Sequence, residues 1–251
     1  MSDYFDRWPN IALSRSEAGV LEMRLHSDGG AFRFSSGARR QLLEAFQAIG
    51  GDRANRVVIL TGTGDSWCAE FDRSPAMGPD PALTLAQRWD VQFWEGRRLL
   101  SAMLDVDVPM IAAVNGPARI HSEYLLTCDI LLASESASFQ DKPHLENGVS
   151  PTDGVHVLWP YVLGPVRGHY FLLTRQEIDA RQALEFGVVN EVLTAAALLP
   201  RARELAAALA RQPEGTLRGA RVGLTQRLKG LVTNELTLGL SMESLSALTK
   251  A

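Results

Sequence analysis

The sequence is poor in the residues that anchor metals and disulfides. It has 2 cysteines, Cys68 and Cys128, and 5 histidines among 251 residues. Two cysteines cannot build a disulfide framework, so a reducing, cytoplasmic setting is expected. No histidine pair has metal-ligand spacing, and neither H-E-x-x-H nor C-x-x-C occurs. His144-Leu145-Glu146 matches the H-x-E half of a zinc deaminase signature, but the P-C-x-x-C half is missing. No metal site is therefore expected. G-x-S-x-G is also absent, and Gly62-Thr63-Gly64 lacks the lysine and third glycine of a phosphate loop. Positive charge is not in excess. The 25 Lys+Arg against 29 Asp+Glu leave a net charge of −4, which argues against nucleic acid or an anionic membrane as the main partner. No apolar run approaches the roughly 18 residues of a membrane-spanning helix. The opening MSDYFDRWPN has neither a basic n-region nor an apolar h-region, so no signal peptide is expected.

What is present reads as an α/β protein. Hydrophobic residues make up 46% and charged residues 22%, ordinary for a globular chain. At roughly 150 residues per domain, the length allows one or two. Leu21, Met23 and Leu25 alternate with Glu22 and Arg24, the pattern of a half-buried strand. Ser35 and Ser36 are N-cap types before a helical stripe of Leu42, Leu43, Phe46 and Ile49, which Gly50-Gly51 would stop. Val57–Leu60, Met110–Val114 and Ile130–Ala133 are short apolar runs suited to strands covered on both faces. Between the first two lie a Pro-rich loop, Asp72 to Pro81, and a helix carrying Trp89, Phe93, Leu100 and Leu104. Strands alternating with helices imply βαβ units. From Ala195 onward the chain reads as helical, so we expect an α/β core over 1–194 and a helical C-terminal region over 195–251.

The stretch Phe139 to Gly164 follows the third buried strand, where active-site loops of α/β proteins often lie. It holds His144 and Asp153 among turn residues Gly148, Pro151 and Gly154. A histidine backed by a carboxylate makes a good general base. Local sequence leaves a second reading open, in which His144 is a loop residue and Asp153 an N-cap. Leu236, Leu240, Glu243 and Ala247 share one helical stripe. A carboxylate on an apolar stripe must be paired, for instance with an arginine at its edge, or functional.

The segments Val57–Asp72, Pro109–Asp129, Phe139–Gly164 and Arg167–Leu193 resemble the crotonase superfamily, the enoyl-CoA hydratase/isomerase fold. Asp179-Ala180-Arg181…Gly187-Val188-Val189 carries the part shared most widely. The fold this implies is a crotonase-like ββα-repeat spiral with a helical C-terminal region. Val114-Asn115-Gly116-Pro117 before His121, Phe139-Gln140-Asp141…Pro143-His144, Pro151…Asp153-Gly154…His156 and Leu238-Gly239-Leu240…Glu243 resemble one branch more closely. That branch is the cofactor-free β-diketone hydrolases of the 6-oxocamphor hydrolase type.

A CoA-dependent member holds an enolate oxygen with two backbone N–H groups, one in a glycine turn. Here the corresponding segments read Cys68-Ala69-Glu70-Phe71-Asp72 and Arg119-Ile120-His121-Ser122-Glu123, the second without glycine. The resemblance to the diketone hydrolases implies retro-Claisen cleavage of a cyclic or bicyclic 1,3-diketone, without a cofactor. It implies His144 as base with Asp153 as its orienting partner, and an ordinary histidine pKa of about 6.5 suits the roles of His144 and His121 near neutral pH. It implies His121 as the donor to the reacting oxygen and Glu243 in the active site. Phe34 stands where the branch has a tryptophan, keeping an apolar wall without the indole donor. Phe34, Phe71 and Trp159 are the expected substrate-binding residues, although aromatic spacing at Trp89, Phe93 and Trp159 fits core packing as well. Members of the superfamily assemble as trimers or pairs of trimers, and that is the implied state. The competing expectations are an acyl-CoA hydratase or isomerase with an altered oxyanion site, and a non-catalytic interaction protein on the same fold.

Overall fold

The computed structural model describes residues 4–249 apart from 75, 76 and 79. Strands β1 (Ile11–Arg15) and β2 (Val20–Leu25) form an antiparallel pair. Then come β3 (Arg33–Phe34) and helix α1 (Ser36–Gly51), followed by β4 (Val57–Thr61), β5 (Glu70–Phe71) and α2 (Leu85–Asp105). Strand β6 (Met110–Val114) leads into a short 3₁₀ helix, Ser122–Thr127. Strands β7 (Ile130–Ser134) and β8 (Ser138–Phe139) precede α3 (Pro143–Glu146), α4 (Val155–Leu163) and α5 (Pro165–Thr174). The chain ends with β9 (Ile178–Asp179), α6 (Ala180–Glu185), β10 (Glu191–Leu193), α7 (Ala195–Ala210) and α8 (Glu214–Thr249).

The order repeats a simple unit: a long strand, a short strand, then a helix. The long strands make one sheet in the order β1-β2-β4-β6-β7-β10, parallel from β2 onward. The short strands make a second layer. There β3 pairs with β5, β8 pairs with β9, and Cys68, Ala118 and Phe139 are joined by single bridges. This is the ββα spiral that the resemblance implied.

Alternation along the central strands explains why both faces are covered. Val58, Leu60, Met110, Ala112 and Val114 point into the larger core with α1 and α2. Val57, Ile59, Ile111 and Ala113 point the other way, onto Leu198, Ala202, Ala206 and Ala210 of α7. Small residues every fourth position let α7 lie close to the sheet. Ser35 caps α1 by accepting a hydrogen bond from the Ala38 amide. Thr84 and Gln87 form a capping box at the start of α2.

Helix α8 crosses α2 and α4 and is pinned by Arg221, which is almost wholly buried. Its guanidinium bonds Asp129 and donates to the Val106 carbonyl at 2.6 Å. Of the loop expected from Asp72 to Pro81, residues 75, 76 and 79 lie outside the described set, and the others carry no helix or strand. Cys68 and Cys128 are free and buried, and burial pushes both thiols up, Cys128 to about 12. Both are structural. Among the described residues no helix is long and apolar enough to cross a membrane.

Candidate active site

Four segments converge on one cavity of about 330 Å³. The turn after β8 and the single turn of α3 bring His144 to it, and that side chain is buried. The loop before α4 brings Asp153. Gly154 follows it with φ of 129°, a backbone that side-chain-bearing residues rarely adopt, and this sharp turn presents Asp153 inward. Gly154, not Asp153, occupies the N-cap of α4, so the capping role left open for Asp153 is excluded.

His121 lies between β6 and the 3₁₀ helix. It takes a left-handed conformation, φ 50° and ψ 40°. Such a backbone costs a residue with a Cβ about 1–2 kcal/mol. Its ring is held by stacking on Tyr124 at 4.7 Å and packing on Phe34 at 4.0 Å.

Helix α8 brings Glu243. Leu236, Leu240 and Glu243 are all buried on one stripe, as the periodicity predicts. The partner of Glu243 is an amide: Gln92 Nε2 donates to Oε1 at 2.9 Å. Gly239 allows this approach. A Cβ there would sit 2.3 Å from the Thr152 carbonyl oxygen and from His156 Cε1. Ser246 adds a tether by accepting from the Ser150 amide at 2.9 Å.

The hydrogen-bond geometry reassigns the partner of His144. Its Nδ1 meets Asp141 Oδ1 at 2.6 Å. Asp153 Oδ2 lies on the other side, 3.4 Å from Nε2, with Glu243 Oε1 at 3.9 Å from the same nitrogen. The orienting carboxylate is thus Asp141, and Asp153 faces the working nitrogen. Asp153 Oδ2 is also 3.4 Å from His121 Nδ1, so one carboxylate bridges both histidines. His121 has a closer partner, Glu123 Oε1 at 2.8 Å from Nδ1. Asp141 and Glu123 were quoted in the sequence motifs but given no role there. Spacing alone does not find them, because their contacts arise from the turn into α3 and the left-handed backbone at His121.

Burial and charge set the protons. Burial opposes a charged His144, but Asp153 and Asp141 outweigh it and hold the imidazole well above its ordinary pKa. Neutral-pH titration, expected from an unperturbed histidine, is therefore corrected upward. Asp153 is also penalised by burial, yet His144 and His121 keep it well below the usual carboxylate range. Burial and the neighbouring Asp153 raise Glu243 to about 8. Burial likewise raises Glu123 against the pull of His121. At neutral pH the site holds an imidazolium–carboxylate pair beside a neutral carboxylic acid.

Phe34 and Phe71 line the cavity, as does Trp89 of α2. Trp159 does not. It is wholly buried, with its ring 4.3 Å from Phe171 and 6.1 Å from Phe139, because its face of α4 turns into the core. His156 lies outside the cavity, beneath Gly239, and burial lowers its pKa. Two sets, His144–Asp153–Glu243 and His121–Glu123–Asp153, have ligand atoms within 4.8 Å of one another and could hold a cation. A cation held by His144, Asp153 and Glu243 must displace the protons on His144 and Glu243.

The amides of Cys68, Arg119 and Ile120 are all committed to backbone acceptors.

Residues 15–244 match the family described as enoyl-CoA hydratase/isomerase. The chain is 33% identical over 200 residues to the carnitinyl-CoA dehydratase of Proteus mirabilis, covering 78% of this chain and 68% of that protein. A solved β-diketone hydrolase from the cyanobacterium Anabaena, bound to (S)-3-oxocyclohexyl acetic acid, superposes with a TM-score of 0.93. It is 48% identical and covers 98% of this chain and 97% of its own. An enoyl-CoA hydratase from Mycobacterium avium superposes with a TM-score of 0.81 at 20% identity, over 96% and 91% of the two chains, a likeness of fold alone. The chain belongs to the enoyl-CoA hydratase/isomerase family.

Proposed function

We propose that this protein hydrolyses a carbon–carbon bond of a cyclic or bicyclic β-diketone, releasing a keto acid. The observation that carries the reading is the arrangement Asp141–His144–Asp153 with Glu243 in one buried cavity. The 48% identity to a β-diketone hydrolase supports it.

In its neutral form His144 accepts a proton from water at Nε2, while Asp141 fixes the ring through Nδ1. The water oxygen bonds to one carbonyl carbon, and the carbonyl electrons move onto oxygen. His121 faces that oxygen, and a proton shared between its Nδ1 and Glu123 leaves Nε2–H as a donor. The tetrahedral intermediate then re-forms a carbonyl and breaks the bond to the carbon between the two ketones. The electron pair enters the second carbonyl as an enolate, and the proton on His144 returns to that carbon. Glu243, raised to about 8, is a neutral acid at pH 7 and donates to the second carbonyl. It replaces a donor that Phe34 cannot provide. Asp153, between the two histidines, stabilises positive charge on either.

The test is a substrate panel. Turnover of a bicyclic 1,3-diketone, followed as loss of ultraviolet absorbance with keto acid formation, is expected. Hydration of an enoyl-CoA, with no diketone turned over, contradicts the proposal.

A further inference from the structure

One guanidinium in the cavity wall has few partners for its burial. Arg39 of α1 lines the cavity, and its side chain is 9% exposed. Its Nε has no hydrogen-bond acceptor among the described residues. The facing carboxylate oxygen, Glu95 Oε2, is 4.0 Å away. Glu95 is already engaged at Oε1 by Arg40 Nε at 2.9 Å. Nη2 of Arg39 reaches Ser36 Oγ at 3.5 Å, the outer limit of a hydrogen bond. A guanidinium carries five N–H donors, and burying the charge without acceptors is costly. Glu95 Oε2 is itself without a hydrogen-bond donor, so Glu95 offsets part of the charge on Arg39 while leaving the guanidinium donors untaken.

The place of Arg39 says what it awaits. Its guanidinium carbon lies 5.9 Å from the centre of the Phe34 ring. The same ring packs 4.0 Å from His121. The positive charge is also felt by Glu243 and Tyr124. A planar fork of donors at the wall of a cavity matches a carboxylate, which it binds through two parallel hydrogen bonds.

We infer that Arg39 is a carboxylate-binding residue of this site and receives the acid group that hydrolysis creates. The inference deepens the diketone reading and rests on it for the source of the carboxylate. Cleavage turns a neutral ligand into an anion inside a cavity that already holds Asp153. Arg39 offers that anion a cation in the cavity wall.

The test is calorimetric binding of 3-oxocyclohexylacetate and of its neutral primary amide to wild type, Arg39→Met and Arg39→Lys. Wild type is expected to bind the acid about tenfold or more tightly than the amide. Arg39→Met removes that preference and leaves amide affinity within twofold. Arg39→Lys, which keeps the charge without the fork, retains part of the preference. It also separates the effect from misfolding, as do melting temperatures. Equal binding of acid and amide by wild type overturns the inference, as does an acid preference that survives in Arg39→Met. None of these readouts needs turnover, so an enzyme that binds the acid through Arg39 but cleaves no diketone sinks the proposed function alone. The source of the carboxylate is separated by kinetics. A neutral diketone whose KM is unchanged in Arg39→Met, with product inhibition lost, assigns it to the product. A tenfold rise in KM for a carboxylate-bearing diketone, with product inhibition intact, assigns it to the substrate and overturns the product assignment.

Discussion

Asp141 and Asp153 grip His144 from opposite sides, Asp141 on Nδ1 at 2.6 Å and Asp153 on Nε2 at 3.4 Å. The nearer aspartate fixes the ring; the farther one faces the cavity and reaches His121 as well. The two carboxylates therefore have different tasks, and substitutions should separate them.

Asp141→Asn should lower kcat by about 100-fold or more, because the amide favours the wrong ring tautomer. KM should change little, and the fold should survive. Steady-state kinetics with far-ultraviolet circular dichroism checks this. A loss confined to KM would contradict the orienting role.

The pH profile follows from the raised pKa of His144. A base held as imidazolium becomes active only as pH rises through its folded pKa. The ascending limb of kcat/KM should therefore lie above about 6.5, the ordinary histidine value. Asp153→Asn removes the largest favourable charge while burial still opposes the imidazolium, so the limb of its residual activity should move to lower pH. An unmoved limb would assign the titration to another group.

Glu243 carries a stability cost that depends on pH. Its folded pKa, about 8, exceeds the ordinary glutamate value of about 4.3. The folded state thus binds a proton that the unfolded chain releases, and stability falls as pH rises between those values. Glu243→Gln has no such cost. Its melting temperature should match wild type near pH 4.5 and exceed it by several degrees at pH 8.5. Parallel melting curves at both pH values would refute the raised pKa.

His121 and Gly239 test the backbone of the site. His121→Gly relieves a left-handed conformation but removes the ring from between Phe34 and Tyr124. Activity should fall at least 100-fold, with stability changed by no more than about 1 kcal/mol. Gly239→Ala puts a methyl group 2.3 Å from the Thr152 carbonyl oxygen, so α8 must move and carry Glu243 with it. A loss of about 1–3 kcal/mol in stability, together with lower activity, is expected. Full activity in Gly239→Ala would show that the placement of Glu243 is not needed.

The sequence made the sheet legible because Val57–Leu60 and Met110–Val114 are covered on both faces, which apolar runs report directly. The Leu236–Leu240 stripe marked Glu243 as buried, while the resemblance and not the spacing put it in the active site. The sequence did not yield the roles of Asp141 and Glu123. Their contacts depend on the tight turn into α3 and on the left-handed backbone at His121, which residue spacing does not encode. Nor did it separate Trp89 from Trp159. Both sit on helices with aromatic faces, and only the packing of α2 against the cavity and of α4 against α5 sends one to the site and the other to the core. Arg39 is hidden for the opposite reason: surface-type residues are buried singly only where a fold closes over them.

The most direct test of the account is hydrolysis of a bicyclic 1,3-diketone in heavy-oxygen water, comparing wild type with His144→Ala. Wild type should form a keto acid with one heavy oxygen in its carboxylate, and His144→Ala should do so about 10²–10⁴-fold more slowly while remaining folded. A labelled acid formed at the wild-type rate without His144, or no cleavage of any diketone by wild type, would contradict it.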